Sequence, residues 1–209
     1  MPRLRSVNVG RPKQISVRRG RALMSAIGKQ PVEGRLRVEG VNVAGDQQAD
    51  PRVHGGLDKA VYAYAREDAA WWEQQLGRTL PPGMFGENLT TEGLDVSGAV
   101  IGERWRIGTV VLEVAQPRLP CAKLGTRFGD LGMVKRFGEA SRPGAYLRIV
   151  TEGELGAGDA IEVLSRPGHG ITVAFVSDAV LLDETLRERA GSAPELADML
   201  AVHLRKHAA

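Results

Sequence analysis

Glycine and proline cut this chain into short pieces. The 209 residues hold 26 glycines and 11 prolines, set between brief apolar runs rich in valine, isoleucine and leucine. Long helices do not tolerate that punctuation, whereas a many-stranded, turn-rich β architecture requires it. Residues 4–9 alternate apolar and polar side chains and read as a first strand. Short strands are expected at 15–17 and 21–26, across 31–43 and at 60–64. A hairpin is expected through Gly108-Thr109, and a final hairpin joins 144–150 to 160–164. Helical spacing is confined to 66–77, a glycine-weakened stretch at 121–137, and the C-terminal segments 173–182 and 194–204, the last with Leu196, Met199, Leu200 and Leu204 on one face. The expected fold class is mostly β with α (α+β): a β domain over 1–165 and a small helical appendage over 166–209, joined by a linker at 165–170.

Composition narrows the functional classes. One cysteine cannot form an internal disulfide, and no apolar stretch approaches the ~20 residues that span a membrane. The N-terminus lacks the apolar run of a signal peptide, so a soluble, cytoplasmic protein without a membrane partner is expected. The formal net charge of +3 suits anionic ligands, and the scatter of charges gives no indication of a nucleic-acid face.

Three polar segments, each anchored by an expected strand, carry the candidate chemistry. In the first, the strand 110–114 runs into Gln116-Pro117-Arg118-Leu119-Pro120-Cys121-Ala122-Lys123. Pro117 and Pro120 end the ladder and stiffen the loop, so Cys121 sits at a strand end near two cations. Neighbouring cations favour the thiolate, the form that attacks or binds metal. A lone cysteine is otherwise most simply a buried apolar residue. The second segment, 45–59, is too polar for a packed element and too long for a turn, and it holds Arg52, His54 and Lys59. The third is the bend at Glu87-Asn88. If the strands close into one barrel, Arg52, His54, Lys59, Asn88, Arg118, Cys121 and Lys123 converge at one rim. That set is cationic with one soft ligand, and it suits a phosphate-bearing or oxo-metal anion.

Other readings compete. A Cys121–His54 nucleophilic dyad has the residue types but no local signature around either. Zinc lacks a ligand cluster, and His203 and His207 share a helical spacing without a third ligand. Asp46, Asp50 and Asp58 are cation ligands on one reading and ordinary turn residues on the other.

The ordered combination Gly45-Asp46-Gln47-Gln48-Ala49-Asp50, Val53-His54-Gly55-Gly56, Asp58-Lys59-Ala60, then Phe85-Gly86-Glu87-Asn88-Leu89, then Gln116-Pro117-Arg118, Pro120-Cys121 and Lys123-Leu124 resembles the MOSC family (molybdenum-cofactor sulfurase C-terminal domain), in its bacterial stand-alone YiiM-type subgroup. The resemblance spans roughly 1–165, and the tail is similar to the three-helix domain that closes chains of that subgroup. It implies a β-barrel-like fold around a cleft and a pyranopterin molybdenum cofactor (molybdopterin). It implies that Cys121 is the metal ligand and catalytic centre, or carries sulfur. On that basis Arg52, Lys59, Arg118 and Lys123 are expected to face the phosphate or pterin, and His54 and Asn88 to donate hydrogen bonds to the cofactor. The implied activity is reduction of N-hydroxylated bases or related N-oxygenated compounds, with electrons from a separate reductase, since one cysteine leaves no iron–sulfur cluster in the chain. The rival class is a sulfur or cofactor carrier that uses Cys121 without turnover. The apolar faces of the tail need cover, from the barrel or from a second copy in a homodimer.

Overall fold

The computed structural model describes residues 1–18, 21–49 and 55–207. In chain order the strands are β1 (Arg3–Val9), β2 (Lys13–Arg18), β3 (Arg21–Ser25), β4 (Gln30–Val32), β5 (Arg35–Glu39), β6 (Asn42–Val43), β7 (Val61–Ala65), β8 (Leu89–Glu92), β9 (Arg104–Ile107), β10 (Val110–Pro117), β11 (Ala145–Thr151), β12 (Gly153–Gly156) and β13 (Ile161–Ser165). The helices are α1 (Arg66–Leu76), α2 (Ala122–Phe128), α3 (Met133–Glu139), α4 (Val173–Leu181), α5 (Arg187–Ala190) and α6 (Asp198–Lys206), with single 3-10 turns at Leu57–Lys59 and Glu184–Leu186.

Eight strands form the main sheet in the order β13-β9-β10-β11-β7-β8-β1-β4, and β12-β5-β6 and the hairpin β2-β3 complete the β structure. Every pairing in the main sheet is antiparallel except β7 with β8. The sheet curls until its two ends meet. Leu4 N–H donates to Asp159 O at 2.8 Å, Gly158 N–H to Leu4 O at 2.8 Å, and Ile161 N–H to Pro2 O at 3.0 Å, which ties β1 to the approach of β13. The expected mixed, barrel-like α+β fold is present.

Alternation explains the central strands. Along β10, Val110, Leu112 and Val114 are fully buried, and the chain leaves the sheet at Pro117, the last residue able to pair before the cysteine loop. α1 buries Asp68, Ala69 and Trp72 on one face, places Glu67 and Asp68 in its first turn where the helix dipole favours acids, and ends at Gly77. Its two adjacent indoles part company. Trp72 is buried, and Trp71 meets the Arg142 guanidinium 5.0 Å from the ring centroid.

Three expectations need correction. The strands near 145–150 and 161–164 do not form a hairpin: β11 pairs with β10 and β7, β12 crosses to β5, and β13 pairs with β9. The crossing runs hard against Thr109, where a Cβ on Gly153 would lie 2.4 Å from its Oγ1. The single helix expected over 121–137 is two, because Gly129 caps α2 and Asp130 turns the chain by accepting from Gly132 N–H at 2.8 Å. Leu131, between the two helices, is exposed. In the tail, Met199 is 83 % exposed while Leu196, Leu200 and Leu204 are buried, so the apolar stripe is narrower than the sequence suggests.

The tail has no core of its own. Ile171, Val173, Val176, Ala193, Leu200 and Leu204 join Leu4, Trp105, Leu112 and Leu147 in one continuous cluster. The main sheet therefore supplies the cover that these helix faces require. Among the described residues no helix is long and apolar enough to cross a membrane.

Candidate functional site

A cleft of about 660 Å³, its open mouth included, lies where the polar segments meet. β10 delivers Arg118, Leu119 and Cys121, with Lys123 following on α2. The 3-10 turn before β7 delivers Lys59, the bend before β8 delivers Asn88, and the loop after β6 contributes Asp46 to Ala49. All five sequence-derived candidates that fall on described residues (Lys59, Asn88, Arg118, Cys121 and Lys123) line this one cleft. Arg52 and His54 lie outside the described residues.

Cys121 is the single thiol of the chain and is half-buried at the head of α2. Arg118 is set deeper, at 5 % exposure, with its guanidinium 5.0 Å from the Phe137 ring centroid and 6.0 Å from that of Tyr62. Aromatic faces hold a cation without using its N–H groups. Its Nη1 is buried and has no hydrogen-bond partner among the described residues. Leaving such a donor unsatisfied costs about 1–3 kcal/mol, more for a charged group, unless a ligand or water accepts from it.

Asn88 is placed on the cleft wall, but its amide is spent inside the protein. Nδ2 donates to Asp46 Oδ2 at 3.0 Å and to Asn8 O at 3.3 Å, while Oδ1 accepts from Tyr62 N–H at 3.1 Å. The side chain thus ties three walls together and has no N–H left for a ligand. Glu87, expected beside it at the cleft, is turned into the interior. Its carboxylate accepts from Gly83 N–H at 2.6 Å, Phe85 N–H at 3.0 Å and Thr90 Oγ1 at 2.9 Å. Burial pushes its pKa up, and these donors pull the other way. Asp58 faces away as well, bound to Arg148 Nε.

Several cleft residues take places that the sequence reading did not assign them. Tyr62 and Tyr146 present rings 5.1 Å apart on the cleft wall, and Phe85 stacks on Tyr64 at 4.2 Å beneath it. Lys29 reaches the cleft from the loop after β3 and is ion-paired to Asp46. Asp46, a cation ligand on one sequence reading and a turn residue on the other, is 7 % exposed and accepts from Gly10 N–H, Lys29 and Asn88 at once. The alternation of β7 could have located Tyr62; a lone lysine near a glycine gives no hint of burial.

Comparison with known proteins accounts for this arrangement. The MOSC domain model matches residues 50–162. YflK of Bacillus subtilis (strain 168) is 38% identical over 172 residues, covering 82% of this chain and 77% of its own. YiiM of Escherichia coli (strain K12) is 33% identical over 145 residues, 68% of this chain and 65% of its own. A protein of Gibberella moniliformis (strain M3125 / FGSC 7600) named a reductase is 29% identical, and its match takes in 96% of this chain but 40% of that one. The crystal structure of YiiM from Geobacillus stearothermophilus superposes over 100% of both chains with a TM-score of 0.81 at 27% identity. The family model spans the segment from the 45–59 loop to β13 that builds most of the cleft, and with these relatives it shows that the chain belongs to the MOSC domain family, a molybdenum-cofactor-binding family.

Proposed function

We propose that this protein binds a molybdenum cofactor in the cleft and reduces N-hydroxylated bases or related N-oxygenated compounds with electrons from a separate reductase. The observation that carries the reading is the pairing of the one thiol with a buried arginine whose Nη1 lacks a partner among the described residues, in a single cleft. The residues suit the group: Cys121 is a soft ligand for the metal, and Arg118, Lys59 and Lys123 are cations for its phosphate and pterin. When bound, the cofactor would supply the two-electron redox chemistry that no side chain here provides.

The remaining work falls to the chain. The prolines flanking Arg118 and Leu119 fix the direction of the thiol. Tyr62, Tyr146 and Phe85 line the cleft with aromatic side chains that can contact a heteroaromatic base. Reduction of an N–OH group to N–H and water consumes two electrons and two protons. The chain holds one cysteine and so no four-cysteine cluster of its own, which supports a separate electron donor.

Protein made in a host that synthesises the cofactor should contain molybdenum and pterin in stoichiometric amount and reduce an N-hydroxylated base with an artificial electron donor. Cys121→Ala should lose the metal while remaining folded; full molybdenum occupancy in that variant would remove Cys121 as ligand. Releasable sulfane sulfur without metal would favour the carrier.

A further inference from the structure

Lys29 is the cleft cation that the proposed function leaves without a task. Its side chain is 8 % exposed and its Nζ donates to Asp46 Oδ2. An ammonium has three N–H donors, and Asp46 is its one acceptor among the described residues. Asp46 in turn is fixed from behind: Oδ1 accepts from Gly10 N–H at 2.8 Å, and Oδ2 also accepts from Asn88 Nδ2 at 3.0 Å. The backbone is shaped around the lysine. Gly83, at φ 80°, passes so close that a Cβ there would lie 2.6 Å from Lys29 O, and a Cβ on Gly10 would lie 3.2 Å from Lys29 Cγ. A buried ion pair is no better for stability than well-packed apolar residues, so stability alone does not account for this investment. Among the described residues Arg118 is a second deeply buried cation of the same cleft, and its Nη1 too lacks an acceptor there.

We propose that Lys29 and Arg118 together form an oxyanion subsite for a phosphate group, with Lys29 aimed by Asp46 and Asn88. The donor role expected of Asn88 passes to the lysine it helps to hold. Burial lowers the pKa of Lys29, and Asp46 opposes that shift. The inference rests on the reading of this cleft as the cofactor site. It locates the phosphate, whether the cofactor's own or that of a nucleotide-like substrate.

Calorimetric titration of the cofactor-free protein with inorganic phosphate at low salt tests it. Wild type should bind, Lys29→Met should bind about tenfold more weakly or worse, and Lys29→Arg should retain most of the affinity. Lys29→Met with Asp46→Asn leaves no unpaired buried carboxylate; its new amide sets an N–H against Gly10 N–H or Asn88 Nδ2, so it should lose stability, yet remain folded and still bind poorly. Wild-type affinity in Lys29→Met or in the double variant would overturn the assignment, as would absence of phosphate binding by wild type. Neither result touches the thiol, which the molybdenum content of Cys121→Ala judges separately. Protein carrying the cofactor should no longer bind phosphate if the cofactor's phosphate fills the subsite, and should still bind it if the substrate's does.

Discussion

β7 divides the molecule into two unlike interiors. Its odd residues, Val61, Ala63 and Ala65, enter the aliphatic cluster shared by the sheet and the C-terminal helices. Its even residues, Tyr62 and Tyr64, enter a second cluster with Trp72, Phe85, Phe128 and Phe137 beneath the cleft. The first side is packed mainly from aliphatic side chains, with Trp105 among them, its Nε1 donating to Glu103 Oε1 at 2.8 Å. The second is built from rings with polar handles, each of which has a partner: Tyr62 Oη donates to Pro143 O at 2.7 Å, Tyr64 Oη to Arg142 O at 3.1 Å, and Trp72 Nε1 to Tyr64 Oη at 3.0 Å. Aromatic residues bury much area with few rotatable bonds, so this half holds its shape around a cavity. The aliphatic half makes the protein stable, and the aromatic half makes a stable place for a charge.

Paired truncations should break this comparison if it is wrong. Phe137→Ala, at a 2 % exposed ring that lies under Arg118 and stacks against Trp72, should cost about 3–5 kcal/mol in chemical denaturation and should also weaken phosphate binding. Leu112→Ala, fully buried on the other side, should cost about 2–5 kcal/mol and leave phosphate affinity unchanged where the variant is folded. Equal losses of affinity in both variants would mean that the two interiors act as one.

A buried carboxylate sharpens the contrast next. Both oxygens of Glu87 accept from N–H or O–H donors, so the amide of Glu87→Gln must set its own N–H groups against one of them. The variant should lose about 1–3 kcal/mol, with the damage centred on the turn through Gly83 and Phe85 that floors the cleft. Hydrogen exchange confined to β10 and the C-terminal helices, with that turn unaffected, would contradict the assignment.

The two interiors also differ in how far the sequence discloses them. Alternation announced β1, apolar runs announced β7 and β10, and the Gly77 stop announced the end of α1, because those patterns reflect burial directly. The failures came where chain direction is decided by tertiary contact. Nothing in the residues at 152–160 says that β12 will leave its neighbour for β5, and nothing in Met199 distinguishes it from Leu200. The site was legible where chemistry is unusual: one cysteine behind two prolines, a polar loop with a lysine, a bend at Asn88. It was illegible where function depends on burial of ordinary residues. Lys29 and Asp46 acquire their character from being enclosed together, and Asn88 lost its expected ligand contact because its amide was required to hold them.

The smallest effect concerns Asp68, at the margin of the aromatic side, where two influences on one carboxyl oppose each other. Asp68 accepts from Arg142 Nη1 and from Ser97 Oγ, both of which favour the ionised form, yet burial outweighs them and raises its pKa above the ordinary 3.8. A carboxyl with a raised folded pKa holds its proton to higher pH in the folded chain than in the unfolded one. Its contribution to stability is complete below the ordinary carboxyl value and is lost as pH rises through the folded one. Asp68→Asn keeps the side-chain shape and removes the titration. Over a denaturation series from acid to neutral pH, wild type should therefore lose stability relative to Asp68→Asn as pH increases. If the ion pair with Arg142 governed instead, wild type would gain on the variant over the same range, so the sign of one slope decides whether burial or charge pairing rules this edge of the aromatic interior.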